Sequence, residues 1–214
     1  QSPMMRESEE YYLKQIKKIS LAKLPNEPAN SNINLSVDFD WAGVGAKQIG
    51  IVVHSIFQNI DNLGSADDRA LQLKNAMHYA KRRLLRFGIK GSKLKESLER
   101  VRLALVNVLY TSRGDWLFSA KHSQAENEMP LLVRRDNITV KIIIDRTFVD
   151  ENGCRWIIDY KTGFHEGSNV EKFLETEFIR HRHQLETYAQ AIAETEEKAI
   201  MLALYFPLLN YWKE

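Results

Sequence analysis

Apolar positions along the chain change their period about halfway through. Residues 45–62 place Ile49, Val52, Val53, Ile56, Phe57 and Ile60 three and four apart, the spacing of one buried helical stripe. A second helix is expected to begin at an N-cap of Asp67 or Asp68 and to run to Arg86, ahead of Gly88. A third is expected from a Ser92 cap to about Tyr110. Upstream, residues 6–24 carry a helical pattern stopped by Pro25 and Pro28, and residues 26–34, rich in Pro, Asn and Ser, read as a linker.

After Gly114 the apolar runs shorten and become rich in Val, Ile, Thr and aromatics. Residues 128–134, 138–149 and 155–160 form three such runs, separated by Arg135-Asp-Asn137 and by Asp150-Glu-Asn-Gly153, so an antiparallel three-strand meander is predicted. Asn152-Gly153 is a strong hairpin signal. Residues 170–196 return to helical spacing, with Leu174, Phe178, Leu185, Ala189 and Ile192 on one face. Residues 199–206 are then apolar without alternation, as in a strand covered on both faces. Helices, three strands, a helix and a strand predict an α/β or α+β layered domain.

Composition narrows the class. The 214 residues are 44% hydrophobic and 27% charged, too apolar for a disordered chain. No apolar run nears the ~20 residues of a membrane span, so no membrane partner is expected. The single cysteine, Cys154, excludes an internal disulfide or a cysteine-based metal site and points to a reducing, cytoplasmic compartment. Gln1-Ser2-Pro3 carries neither an initiator methionine nor a signal peptide, so a piece of a longer protein is expected. Its aromatic end, Tyr211-Trp212, would suit packing on a neighbouring part of that polypeptide.

The formal charge of +2 hides an uneven distribution. Between Lys81 and Arg113 ten basic residues stand against two acidic ones, a local +8 that leaves −6 for the rest of the chain. Such a block is either a solvated helical face or a surface for a polyanion.

Candidate chemistry lies at two strand ends. Asp145 closes the run Ile142-Ile-Ile144, and Asp159 closes Trp156-Ile-Ile158 ahead of Tyr160-Lys161. A hairpin sets these strands side by side, so the two carboxylates can share a divalent cation of the Mg²⁺ type. Lys161, two positions after Asp159, leaves the same strand face and can orient a water or neutralise developing charge. Ordinary ion pairs, of Asp145 with Arg146 or Lys161 and of Asp159 likewise, account for the same residues. Acid-x-Lys triplets are common enough that Glu196-Glu-Lys198 forms another, without an apolar strand before it. A P-loop is absent, since Gly45 and Gly50 are followed by Ile51-Val52. No Gly-x-Ser-x-Gly elbow occurs, and Cys154 has no arranged histidine.

Ile144-Asp145-Arg146, Trp156-Ile-Ile-Asp159-Tyr-Lys161-Thr-Gly163 and Gln184-Leu-Glu-Thr-Tyr188 together resemble the nuclease domain of RecB and AddA type helicase-nucleases, within the PD-(D/E)XK superfamily. Gly50-Ile-Val-Val-His54 is similar to that family's N-terminal helix motif, and Glu128-Met-Pro130 to its acidic residue before the sheet. One departure is Ile142, where the family usually has glycine three residues before the first acid. The resemblance implies an α/β fold with a mixed central sheet flanked by helices, and a nuclease domain over residues 36–214. Its helical part would be 45–113 and its catalytic core 114–207, after an N-terminal helix and linker at 1–35.

It further implies that His54, Asp145, Asp159 and the Tyr160 carbonyl hold Mg²⁺, with Mn²⁺ able to substitute. Lys161 would be the catalytic lysine and Glu128 a further catalytic acid, with Glu126 two residues earlier on the same strand. Gln184 and Tyr188 would support the lysine and, with His181 on the same helical stripe, contact the DNA backbone. The implied activity is metal-dependent DNA hydrolysis, exonuclease rather than endonuclease, with UvrD-like helicase motor domains as partners in repair and recombination and a nucleoid-associated location. The alternative is a silent nuclease-like fold that binds DNA or docks a subunit, against which the intact Asp, Asp and Lys set weighs.

Overall fold

The computed structural model describes residues 45–135, 138–163 and 170–214, so the expected helix at 6–24 and linker at 26–34 lie outside the described residues. Helices α1 (Gly45–Phe57), α2 (Ala66–Arg86), α3 (Gly91–Leu109) and α4 (Ser112–Leu117) come first. Strands β1 (Ser123–Arg135), β2 (Ile138–Val149) and β3 (Arg155–Tyr160) follow, then α5 (Val170–Ala193), β4 (Ile200–Phe206) and β5 (Tyr211–Lys213). The strands form one mixed sheet in chain order. Neighbours are antiparallel except β3 and β4, which run parallel and are joined through α5. This is the α/β arrangement the sequence pattern predicts.

Local chemistry moves several helix ends. Ser65, not Asp67 or Asp68, caps α2: its hydroxyl accepts from Asp68 N, while the Asp68 carboxylate accepts from Ser65 N. Asp68 therefore serves as the returning acid of a capping box rather than as the cap. Ser92 caps nothing, because α3 already begins at Gly91 and its N-cap, Lys90, makes no side-chain bond. α1 ends at Phe57 instead of continuing to 62, although Ile60 beyond it stays buried.

β3 and β4 are buried along their whole length, since the sheet is covered on both faces. On one face Leu185, Ala189 and Ile192 of α5 pack against Ile157, Leu202 and Leu204. On the other, Phe57 of α1 meets Tyr160 edge-on, and Trp116 of α4 meets Phe148, Trp156 and Trp212. Trp212 belongs to β5, so the C-terminal aromatics add an edge strand to this sheet. The β2–β3 turn is organised by Asp150, whose carboxylate accepts from the backbone of Asn152 and Cys154 and from the Trp156 indole; Gly153 supplies the positive φ of 79°. Buried Arg155, at the start of the central strand β3, ties that end of the sheet to Glu196, 2.6 Å away, and to the Gln124 side chain.

Candidate active site

Two strands separate where the acids stand. The β2–β3 ladder ends at Arg146↔Ile158, and Asp145 and Asp159 are the next residue along each strand. There Asp145 substitutes for a backbone acceptor: its Oδ2 takes the Tyr160 N–H at 2.7 Å. On its other side β1 remains paired, with Glu128 opposite Asp145 between the pairs Asn127↔Arg146 and Met129↔Ile144. The three acids thus form a row across β1, β2 and β3.

Glu128 holds a φ of 52°, a left-handed conformation that a non-glycine residue adopts only under constraint. Its effect shows in its neighbours. Asn127 donates to the carbonyls of Gln58 and Ile60 beyond α1, whereas Met129, two positions on, packs with the core under α5. Simple strand alternation would put both on one face. The twist turns Glu128 toward α1, where its carboxylate, a ring nitrogen of His54 and an oxygen of Asp145 lie within 4.8 Å of one another. Glu126, the competing acid, is exposed and stands outside this group.

His54 reaches the site from the last turn of α1. Its Nδ1 is 3.3 Å from Asp145 Oδ1, and its Nε2 is 3.1 Å from the Tyr160 carbonyl oxygen. Both ring nitrogens face acceptors: the neutral ring keeps one lone pair for a cation, whereas each nitrogen can donate when the ring is protonated and so charged. Burial opposes that charge, but the hydrogen bond and charge of Asp145, then Asp159 and Glu128, raise the pKa above its ordinary value. Glu128 is shifted upward by burial and then by Asp145.

The other half of the site is a buried polar network. Lys161 Nζ lies 2.7 Å from Asp159 Oδ2, as an ion pair. Gln184 of α5 joins both groups: its Oε1 accepts from Lys161 Nζ at 3.3 Å and its Nε2 donates to Asp159 Oδ1 at 3.1 Å. The same amide donates to the Tyr188 hydroxyl at 2.5 Å. Asp159 is 3% exposed, and burial followed by repulsion from Asp145 raises its pKa against the pull of Lys161. Arg146, adjacent in sequence to Asp145, pairs with neither acid. Its guanidinium donates to Leu117 O and Asn127 Oδ1 and lies over the Phe118 ring, so it braces the β1–β2 junction.

The structure therefore brings His54, Glu128, Asp145, Asp159, Tyr160, Lys161, Gln184 and Tyr188 to one end of the sheet. The ion pair of His181 is with Glu177 on the preceding turn, its Nε2 at 3.5 Å. Tyr188 is only 6% exposed, and its hydroxyl accepts from the Gln184 amide. Gly50 and Thr162 contribute by close approach rather than by chemistry. A Cβ on Gly50 would lie 2.8 Å from Thr162 Oγ1, so α1 approaches the segment after Lys161 this closely because residue 50 has no side chain. Glycine inside a helix costs about 1 kcal/mol, and that cost was the available signal of close approach.

The family model of the PD-(D/E)XK nuclease superfamily matches residues 32–210. The chain belongs to this superfamily, and the five-strand mixed sheet with its flanking helices accords with that fold. No curated protein matches the chain significantly. Among the described residues, no helix is long and apolar enough to cross a membrane.

Proposed function

We propose that this domain is a divalent-metal-dependent deoxyribonuclease that hydrolyses phosphodiester bonds of DNA ends, working as the nuclease part of a RecB or AddA type helicase-nuclease in repair and recombination. The observation that carries the reading is the convergence of Glu128, His54 and Asp145 within 4.8 Å, directly beside the buried Asp159–Lys161 pair. Hard carboxylate oxygens with one imidazole suit Mg²⁺ or Mn²⁺. Glu128, His54 and Asp145 would hold the ion, with Asp159 and the Tyr160 carbonyl as the neighbouring oxygen donors. A divalent cation held by them would supply Lewis acidity toward water and the scissile phosphate.

The chain's own groups do the positioning. Lys161 presents an ammonium that holds the attacking water or offsets charge on the pentavalent phosphorus, and Asp159 keeps it in place. Gln184 bonds both members of that pair, so neither rotates away when substrate arrives. Tyr188 fixes the amide in turn. Every one of these supports comes from a packed helix or strand rather than a loop, which keeps the arrangement rigid.

The test is degradation of linear single- and double-stranded DNA with Mg²⁺, with Mn²⁺ and with chelator, comparing the parent with Asp159→Ala and Lys161→Ala. Metal-dependent cleavage by the parent alone is the expected result. Cleavage that ignores metal, or variants that cut as well as the parent, would remove the assignment.

A further inference from the structure

The basic block of the sequence folds into the closed end of the α2–α3 helical hairpin. Lys81, Arg82 and Arg86 end α2, and Lys90, Lys93 and Lys95 begin α3. All six are exposed, and none takes part in an ion pair among the described residues. The two acids nearby, Glu96 and Glu99, are taken up by Arg100 at 3.0 Å and by Arg102. Uncompensated positive charge is therefore concentrated at the closed end of the hairpin.

Helix stability does not account for it. Cations at the C-terminal end of α2 complement the helix dipole, but those at the start of α3 oppose it. α3 has no acid in its first turn and no side-chain cap. Placing Lys90, Lys93 and Lys95 there costs stability, and an external anion is the partner that would offset the cost.

The hairpin is joined to the candidate site through α1. Gly45, at the start of α1, abuts the Ser97 hydroxyl of α3, at 3.8 Å from a Cβ built on it. Gly50, on the same helix, abuts Thr162, next to Lys161. Five residues of helix separate these contacts, about 7.5 Å at 1.5 Å per residue. The first turns of α3 and the segment carrying Lys161 therefore border one short stretch of α1.

We propose that the tip of the α2–α3 hairpin binds the sugar-phosphate backbone of the nucleic-acid strand that enters the active site, as a second, sequence-independent contact. This rests on the reading of the substrate as DNA, but the contact is measurable without cleavage. The experiment uses the whole chain carrying Lys161→Ala, in chelator, and follows the anisotropy of a labelled DNA oligonucleotide across a salt series. Into it are introduced Arg86→Glu, Lys90→Glu and Lys93→Glu together. A charge-matched control carries Lys74→Glu, Lys121→Glu and Lys213→Glu, all exposed lysines outside the tip.

The tip triple is expected to weaken binding at least tenfold and to reduce the log–log salt slope by about 2, since each lost phosphate contact on a single strand removes about 0.7. The control should leave both nearly unchanged. Equal losses in the two triples, no loss in the tip triple, or no DNA binding by the parent would each overturn the proposal. Tip-dependent binding in a protein whose parent shows no metal-dependent cleavage would uphold this contact while removing the nuclease reading.

Discussion

Gln184→Ala is the most informative single change, because the residue touches both halves of the Asp159–Lys161 pair without being a metal donor. Its amide makes three hydrogen bonds, two of them to charged partners at 3.1 and 3.3 Å. Hydrogen bonds to charged groups are worth about 1.5–3 kcal/mol each. Both are long, which places them at the low end. Lys161 also keeps its 2.7 Å contact with Asp159, and its side chain is 18% exposed, so water can replace the lost acceptor. A net loss of about 1.5–2 kcal/mol in the transition state follows, roughly a 10–30-fold fall in kcat.

KM should barely move, since the amide is occupied entirely by protein partners. Tyr188→Phe removes only the outermost member of the network and should cost about two- to threefold. The assay is steady-state cleavage of labelled linear DNA at saturating Mn²⁺, with a thermal melt to confirm folding. An unchanged kcat, or a loss as large as that of Lys161→Ala, would show that the amide does not work by holding this pair.

Other predictions concern the scaffold and its pH dependence. In Gly50→Ala the new Cβ would meet Thr162 Oγ1 at 2.8 Å, so cleavage should fall while the fold survives; adding Thr162→Ala should restore much of the activity, and failure of that rescue would refute the close-approach argument. Gly114→Ala would put a Cβ 1.7 Å from the Val108 carbonyl oxygen, an overlap with backbone that should cost about 4 kcal/mol or more and is checked by soluble yield and Tm. Arg146→Met strands the acceptors on Leu117 and Asn127, for about 3 kcal/mol or a fall of roughly 6–12 °C in Tm. Glu196 is pulled to about 2 by its hydrogen bond to Arg155, against burial and with help from Lys198. A depressed carboxylate pKa stabilises above the unfolded value of 4.5 and loses that contribution as pH falls toward 2. The Tm of the parent should therefore drop more steeply over that window than that of Glu196→Gln, by on the order of 1 kcal/mol after solvent screening.

What was legible in the sequence was local. Strands at Ile138–Val149 and Arg155–Tyr160 stand out because β-branched runs end at turn residues, and α5 because its stripe repeats every three to four residues. The pair Asp159 and Lys161 could be read as neighbours, since a strand fixes the direction of residues two apart. β5 could not be read, because a three-residue edge strand leaves no periodic trace and forms by docking against β4.

The acids' partners were undecided for the same reason. Alternation left Glu126 and Glu128 equivalent, and the positive φ at Glu128 that separates them comes from how β1 twists between α1 and the core under α5. Residue type alone could not tell Tyr188 at a surface from Tyr188 in the core; the packing of α5 on the sheet turned it inward to hold Gln184. His54 and Asp145 are 91 positions apart in the chain, and their 3.3 Å approach exists because α1 docks on the opposite side of the sheet from α5. The sequence by itself determined which elements form and which chemical groups they carry. The tertiary structure decided which of those groups share a site, because convergence depends on long-range packing that no local pattern records.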